Sequence, residues 1–120
     1  MLLSLIAATL LHLAPAADVT GTWQIRGDIM GSPLNTVCTL KQADTAITGT
    51  CSVEGQGAAD VKGEVKDGKV TFQHGGDYEG QALTVVYSGT LVSPTELKGT
   101  ITINPFDVGG EFTATPAPKS

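Results

Sequence analysis

Few side chains in this sequence have the chemistry for catalysis, and they stand apart from one another. His74 is the one histidine beyond residue 17. A nucleophile–histidine–acid set would need it as the base, and no Gly-x-Ser-x-Gly segment frames a serine for it. One histidine, two cysteines and dispersed carboxylates do not make a zinc site. Asp77 and Glu79 lie two residues apart, and paired carboxylates can share acid and base roles in glycoside hydrolysis. At a solvated hairpin tip nothing sets the two apart for such a division, so they read as turn residues. The sequence therefore predicts no enzyme, no metal and no cofactor. What remains is recognition chemistry. His74 is expected inside the fold, as a satisfied core histidine or a ligand contact. Tyr87 is expected to be either a core residue with its hydroxyl satisfied or the polar contact of a pocket.

The elements that hold these residues are strands. Beyond residue 18 apolar residues alternate with Thr, Lys, Gln and Glu, the period-two pattern of half-buried strands. Eight segments follow, near 20–30, 33–42, 46–54, 60–66, 69–77, 80–91, 97–104 and 109–115. Short turns join them, so the order is up-and-down, and such a meander can close into a barrel without edges. Turn chemistry sets the register. Asp67-Gly68 places Val61 opposite His74. A loop at 43–46 places Leu40 opposite Gly49. Gly31-Ser32 places Ile29 opposite Leu34, and Tyr78-Glu79 places Phe72 opposite Val85. Ser93-Pro94-Thr95 places Tyr87 opposite Ile101, and Phe106-Asp107 places Ile101 opposite Phe112. Closure would bring Phe112 and Ala114 beside Trp23. The apolar faces then all point inward and Arg26, Lys41, Lys62 and Glu64 point outward, the reverse of a membrane barrel.

The same pairing puts Cys38 and Cys51 directly opposite one another on the inner face, where a disulfide fits. An oxidising compartment is also suggested by the N-terminus. Residues 2–13 are an apolar run too short to span a bilayer, followed by Ala14-Pro15-Ala16 and then polar sequence from Asp18. The expected organisation is a signal peptide at 1–17, a β-barrel domain at 18–116 and a flexible tail at 117–120. Periplasmic or secreted localisation follows. A formal net charge of −5 offers no footprint for nucleic acid or an anionic membrane.

Thr20-Gly21-Thr22-Trp23 opens the domain, and the phrase returns as Thr48-Gly49-Thr50-Cys51, Ser88-Gly89-Thr90-Leu91 and Lys98-Gly99-Thr100-Ile101. With eight meander strands and small size, this resembles the calycin-type barrels, the lipocalins and avidins. It is most similar to small exported bacterial lipocalin-like domains. The resemblance implies that Trp23 is structural and plugs the closed end of the barrel. The arginine that crosses the lipocalin Trp has no counterpart on the last strand, because Arg26, the only arginine, lies on the first. Avidins wall biotin with several tryptophans, which one Trp does not support.

Alternate connections of an up-and-down barrel share an end. The end opposite Trp23 is expected to gather the turns at 31–32, 54–60, 78–79 and 106–107, with Met30, Tyr78 and Phe106 at the rim and His74 just inside. Turn tips ordinarily take Gly, Asn, Asp or Ser, so aromatic tips are out of character. Two functions remain open: a barrel binding a small apolar or amphipathic ligand at this end, or a module binding an exported protein, such as a periplasmic hydrolase inhibitor. An accessory stabilising domain is a third.

Overall fold

The computed structural model describes residues 18–53 and 57–118. The expected signal peptide, the centre of the 54–60 loop and the end of the C-terminal tail lie outside the described residues. Eight strands follow in order: β1 (Gly21–Ile29), β2 (Ser32–Ala43), β3 (Ala46–Val53), β4 (Gly57–Lys66), β5 (Lys69–Tyr78), β6 (Gln81–Ser93), β7 (Glu96–Asn104) and β8 (Val108–Pro116). They form a closed antiparallel barrel in which each strand pairs with the next and β8 returns to β1.

Three hairpins turn through a residue followed by glycine, both with positive φ: Met30-Gly31 (53° and 88°), Asp67-Gly68 (53° and 80°) and Glu79-Gly80 (52° and 84°). This is the type I′ turn, whose twist matches that of the strands. In two of them an aspartate locks the corner. Asp28 Oδ1 accepts from the Gly31 amide at 2.8 Å, and Asp77 Oδ2 accepts from the Gly80 amide at 3.2 Å.

Three registers follow the sequence pairing: Leu40 faces Gly49, Val61 faces His74, and Leu91 and Tyr87 face Leu97 and Ile101. Three are displaced by two residues. Ile29 faces Ser32 rather than Leu34, because the turn is Met30-Gly31 and not Gly31-Ser32. Phe72 faces Tyr87 rather than Val85, because the tip is Glu79-Gly80. Ile101 faces Gly110 rather than Phe112, because the β7–β8 connection runs from Asn104 through a cis Pro105 to Asp107. Closure shifts with them: Ala114 faces Ile25, Phe112 faces Gly27, and Pro116 is opposite Trp23. A shift of two keeps every side chain on its face, so the core survives the correction. β4 also starts earlier than expected, at Gly57.

The core is continuous from Val19 and Trp23 to Val85 and includes Phe72, Tyr87 and Phe112. Tyr87 stacks on Phe72 with centroids 4.7 Å apart and meets Phe112 edge-on at 5.4 Å. Cys38 and Cys51 form the disulfide within this core, with Cα atoms 4.0 Å apart. Trp23 sits at the β1 entry and donates its indole N–H to the Val19 carbonyl at 2.8 Å. Gln42 Oε1 accepts from the Val19 amide at 3.0 Å, fixing this end. Glycines let neighbouring strands close up inside: a Cβ on Gly99 would lie 2.0 Å from the Ser88 carbonyl oxygen, and one on Gly63 2.1 Å from that of Thr71. Gly21 differs, with open space where its Cβ would be.

Candidate functional site

The mouth opposite Trp23 gathers the turns Met30-Gly31, Glu79-Gly80 and Asn104–Asp107, with the 54–56 connection outside the described residues. Met30 is exposed because the left-handed turn position turns it away from the sheet; 77% of its surface is free. Tyr78, the last residue of β5, reaches Phe106 on the β7–β8 connection, with centroids 6.3 Å apart and planes at 83°. That edge-to-face geometry suits two ring quadrupoles. Met30, Tyr78 and Phe106 surround a cavity of about 380 Å³ whose deeper wall is Leu83, Ile103 and Val108. All six lining residues are apolar or aromatic.

Each wall residue is placed by strand alternation. Ile103 lies opposite Val108 on one side and Val85 on the other, and Val85 in turn lies opposite His74. A buried polar group therefore lies two strand pairings from the wall residue Ile103. His74 Nδ1 is 2.8 Å from the Gly75 carbonyl oxygen, which can only accept. Nδ1 therefore carries the proton, and Nε2 accepts from the Tyr87 hydroxyl at 3.0 Å. Burial pushes the His74 pKa down, partly opposed by the Gly75 carbonyl, and favours the neutral ring. Burial also pushes the Tyr87 phenol up to about 12, with the neighbouring Thr36 hydroxyl acting the other way. Thr36 Oγ1 is itself buried beside Tyr87, yet it makes no hydrogen bond of good geometry.

The residues singled out in the sequence thus divide into two groups. Met30, Tyr78 and Phe106 meet at the cavity. His74 and Tyr87 are joined to each other beneath it, 3% and 0% exposed, and do not line it. Ile103, Val108 and Thr36 were not singled out. Ile103 and Val108 occupy the innermost positions flanking the β7–β8 connection, and the two-residue register error had hidden that. No group of three His, Cys, Asp or Glu side chains is placed to hold a metal among the described residues.

No protein-family model and no curated protein matches the chain. Solved structures do. A redesigned β-barrel, mFAP1, bound to DFHBI superposes with a TM-score of 0.61 over 82% of this chain and 94% of that one, at 16% identity. EF1p2_mFAP2b bound to DFHBI gives 0.60 over the same shares, at 14% identity. The likeness is one of fold.

Proposed function

We propose that this chain is an exported, non-catalytic binding barrel of the calycin type that takes a small apolar or amphipathic molecule at its mouth. The observation that carries this reading is the cavity of about 380 Å³, walled only by apolar and aromatic side chains, at one end of the barrel beyond its buried core. Concave apolar sites of this volume are the usual small-molecule sites, and barrel mouths a usual place for them. The two similar barrels were solved with a small molecule bound, which agrees with the reading. The buried disulfide fits an oxidising compartment.

A protein partner is the second reading, favoured by the exposure of Met30, Tyr78 and Phe106 at 77%, 59% and 44%. Clustered apolar groups at a surface commonly mark an interaction site. Native mass spectrometry of protein purified from its own host separates the two, because a retained small mass and a retained polypeptide differ plainly. A Tyr78→Ser, Phe106→Ser variant should fold normally and bind the retained molecule about tenfold or more weakly, since aromatic anchors carry much of such binding energy. Equal binding by a folded variant would put the site elsewhere.

A further inference from the structure

Among the described residues, Thr36 Oγ1 is the one buried side-chain polar atom without a hydrogen-bond partner. An orphan of this kind costs stability, and each one in a native fold calls for an explanation. The group beside it is the Tyr87 phenol. Thr36 is on β2 and Tyr87 on β6, four strands apart in a ring of eight, so this contact spans the barrel. On its other side the Tyr87 oxygen lies 3.0 Å from His74 Nε2. Phe72 stacks on the phenol ring and Phe112 meets it edge-on, so the ring is held in place. The oxygen is therefore fixed between two groups that can accept, and only its proton can turn.

We propose that His74, Tyr87 and Thr36 form a two-state relay that lets the barrel core hold an added proton. At neutral pH Tyr87 donates to His74 Nε2, and Thr36 is left over. On acidification a proton from water adds to Nε2. The new N–H donates to the Tyr87 oxygen, and the phenol O–H swings away to Thr36 Oγ1. The Nδ1–H keeps the Gly75 carbonyl, 2.8 Å away. Tyr87 loses no proton, and both donors of the charged ring have acceptors. The orphan of the neutral state is the acceptor that the acid state needs. The titratable groups facing His74 are few. β4 sets Val61 opposite it and β6 sets Val85. Cys38 and Cys51 are bridged, and no Asp, Glu, Lys or Arg is among the described buried residues. Tyr87 is thus the one titratable group that meets the ring. No anion balances the charge, so burial still opposes it. The relay lessens that opposition, because hydrogen bonds from an ionised donor are strong ones. It does not depend on what occupies the mouth.

Thr36→Val keeps the shape of the side chain and removes the acceptor, so it tests the relay. Imidazole carbon and nitrogen shifts followed against pH give the His74 titration, with its signals assigned by their loss in His74→Leu. Trp23 fluorescence reports folding at each pH. The parent should take up the proton while folded. Thr36→Val should titrate about one pH unit lower, a tenfold loss of proton affinity, because the phenol proton then has no acceptor in the acid state. At about pH 8, where the ring is neutral in either chain, its urea midpoint should equal the parent's or exceed it, since an orphan has been removed. Thr36→Ser restores the hydroxyl and should titrate with the parent. In the parent itself, the Thr36 side-chain carbon shifts should move together with the His74 titration. A threonine that is only structural would lower the midpoint at alkaline pH and leave the titration where it was, and that result overturns the relay. So does a Thr36→Ser titration that matches Thr36→Val, a Thr36 signal that stays still while His74 titrates, or a barrel that unfolds before His74 takes up its proton.

Discussion

Tyr87→Phe removes a single oxygen and leaves the ring stacked on Phe72 and edge-on to Phe112. What it deletes is the donor to His74 Nε2. The imidazole cannot turn to find another, because Nδ1 is committed to the Gly75 carbonyl and the side chain is only 3% exposed. A buried acceptor left unsatisfied costs about 1–3 kcal/mol, whereas replacing both partners by apolar groups can be nearly neutral. Tyr87→Phe should therefore cost about 2 kcal/mol, and Tyr87→Phe combined with His74→Leu should recover at least half of the loss. For a domain of this size that is a fall of about 10 °C in Tm for the single variant. Urea unfolding followed by the fluorescence of Trp23, the only tryptophan, gives both values in one assay. If the single variant loses less than about 0.5 kcal/mol, or the double loses the sum of the two singles, the buried pair is not coupled as described. Imidazole nitrogen shifts showing the proton on Nε2 would equally refute it.

Further outcomes follow from the same geometry. His74 has a folded pKa depressed below its unfolded value near 6.5, so its contribution is present above about pH 6.5. That contribution is lost as pH falls through the lower folded value. Tm should drop between about pH 7 and pH 5, and His74→Leu should flatten that drop; an unchanged slope would assign the acid sensitivity elsewhere. Cys38→Ala, Cys51→Ala should cost about 3 kcal/mol by the chain-entropy argument for a loop of this length, read as a lower urea midpoint. Trp23→Ala, which empties the plugged end and removes the bond to Val19, should cost about 3–5 kcal/mol. A melting temperature within a degree or two of the parent would show that Trp23 plugs nothing.

The barrel was legible in the sequence because its alternation is clean and three of its turns announce themselves. Asp67-Gly68 fixed one register, and the loop at 43–46 fixed another and with it the disulfide. The registers that slipped all turn at the mouth. At Met30-Gly31 and Glu79-Gly80 a bulky or acidic residue takes the left-handed position before glycine, and the glycine, not the aromatic or the serine, was the signal for the turn. The β7–β8 connection takes the four residues Asn104–Asp107 between the paired Ile103 and Val108, where a two-residue turn at Phe106-Asp107 was expected. Because each slip was by two, Trp23, Phe72, Tyr87 and Phe112 stayed inside, while the residues that meet around the mouth changed. The aromatic tips Tyr78 and Phe106 were readable as misplaced for turns. The bond between His74 and Tyr87 was not, since it depends on Val85 and not Leu83 standing opposite His74.

In the ring of strands the start of β1 and the end of β8 are neighbours. Trp23 is paired with Pro116, and the Ala117 amide donates to the Thr22 carbonyl at 2.9 Å. A few added residues would therefore connect β8 to β1 without moving either strand, and the chain could be opened instead at the exposed Asp67-Gly68 turn, which lies at the same end. Such a rearranged chain would keep all eight pairings and the mouth intact. Anything attached ahead of β1 or after β8 hangs from the plugged pole, and the mouth faces away from it.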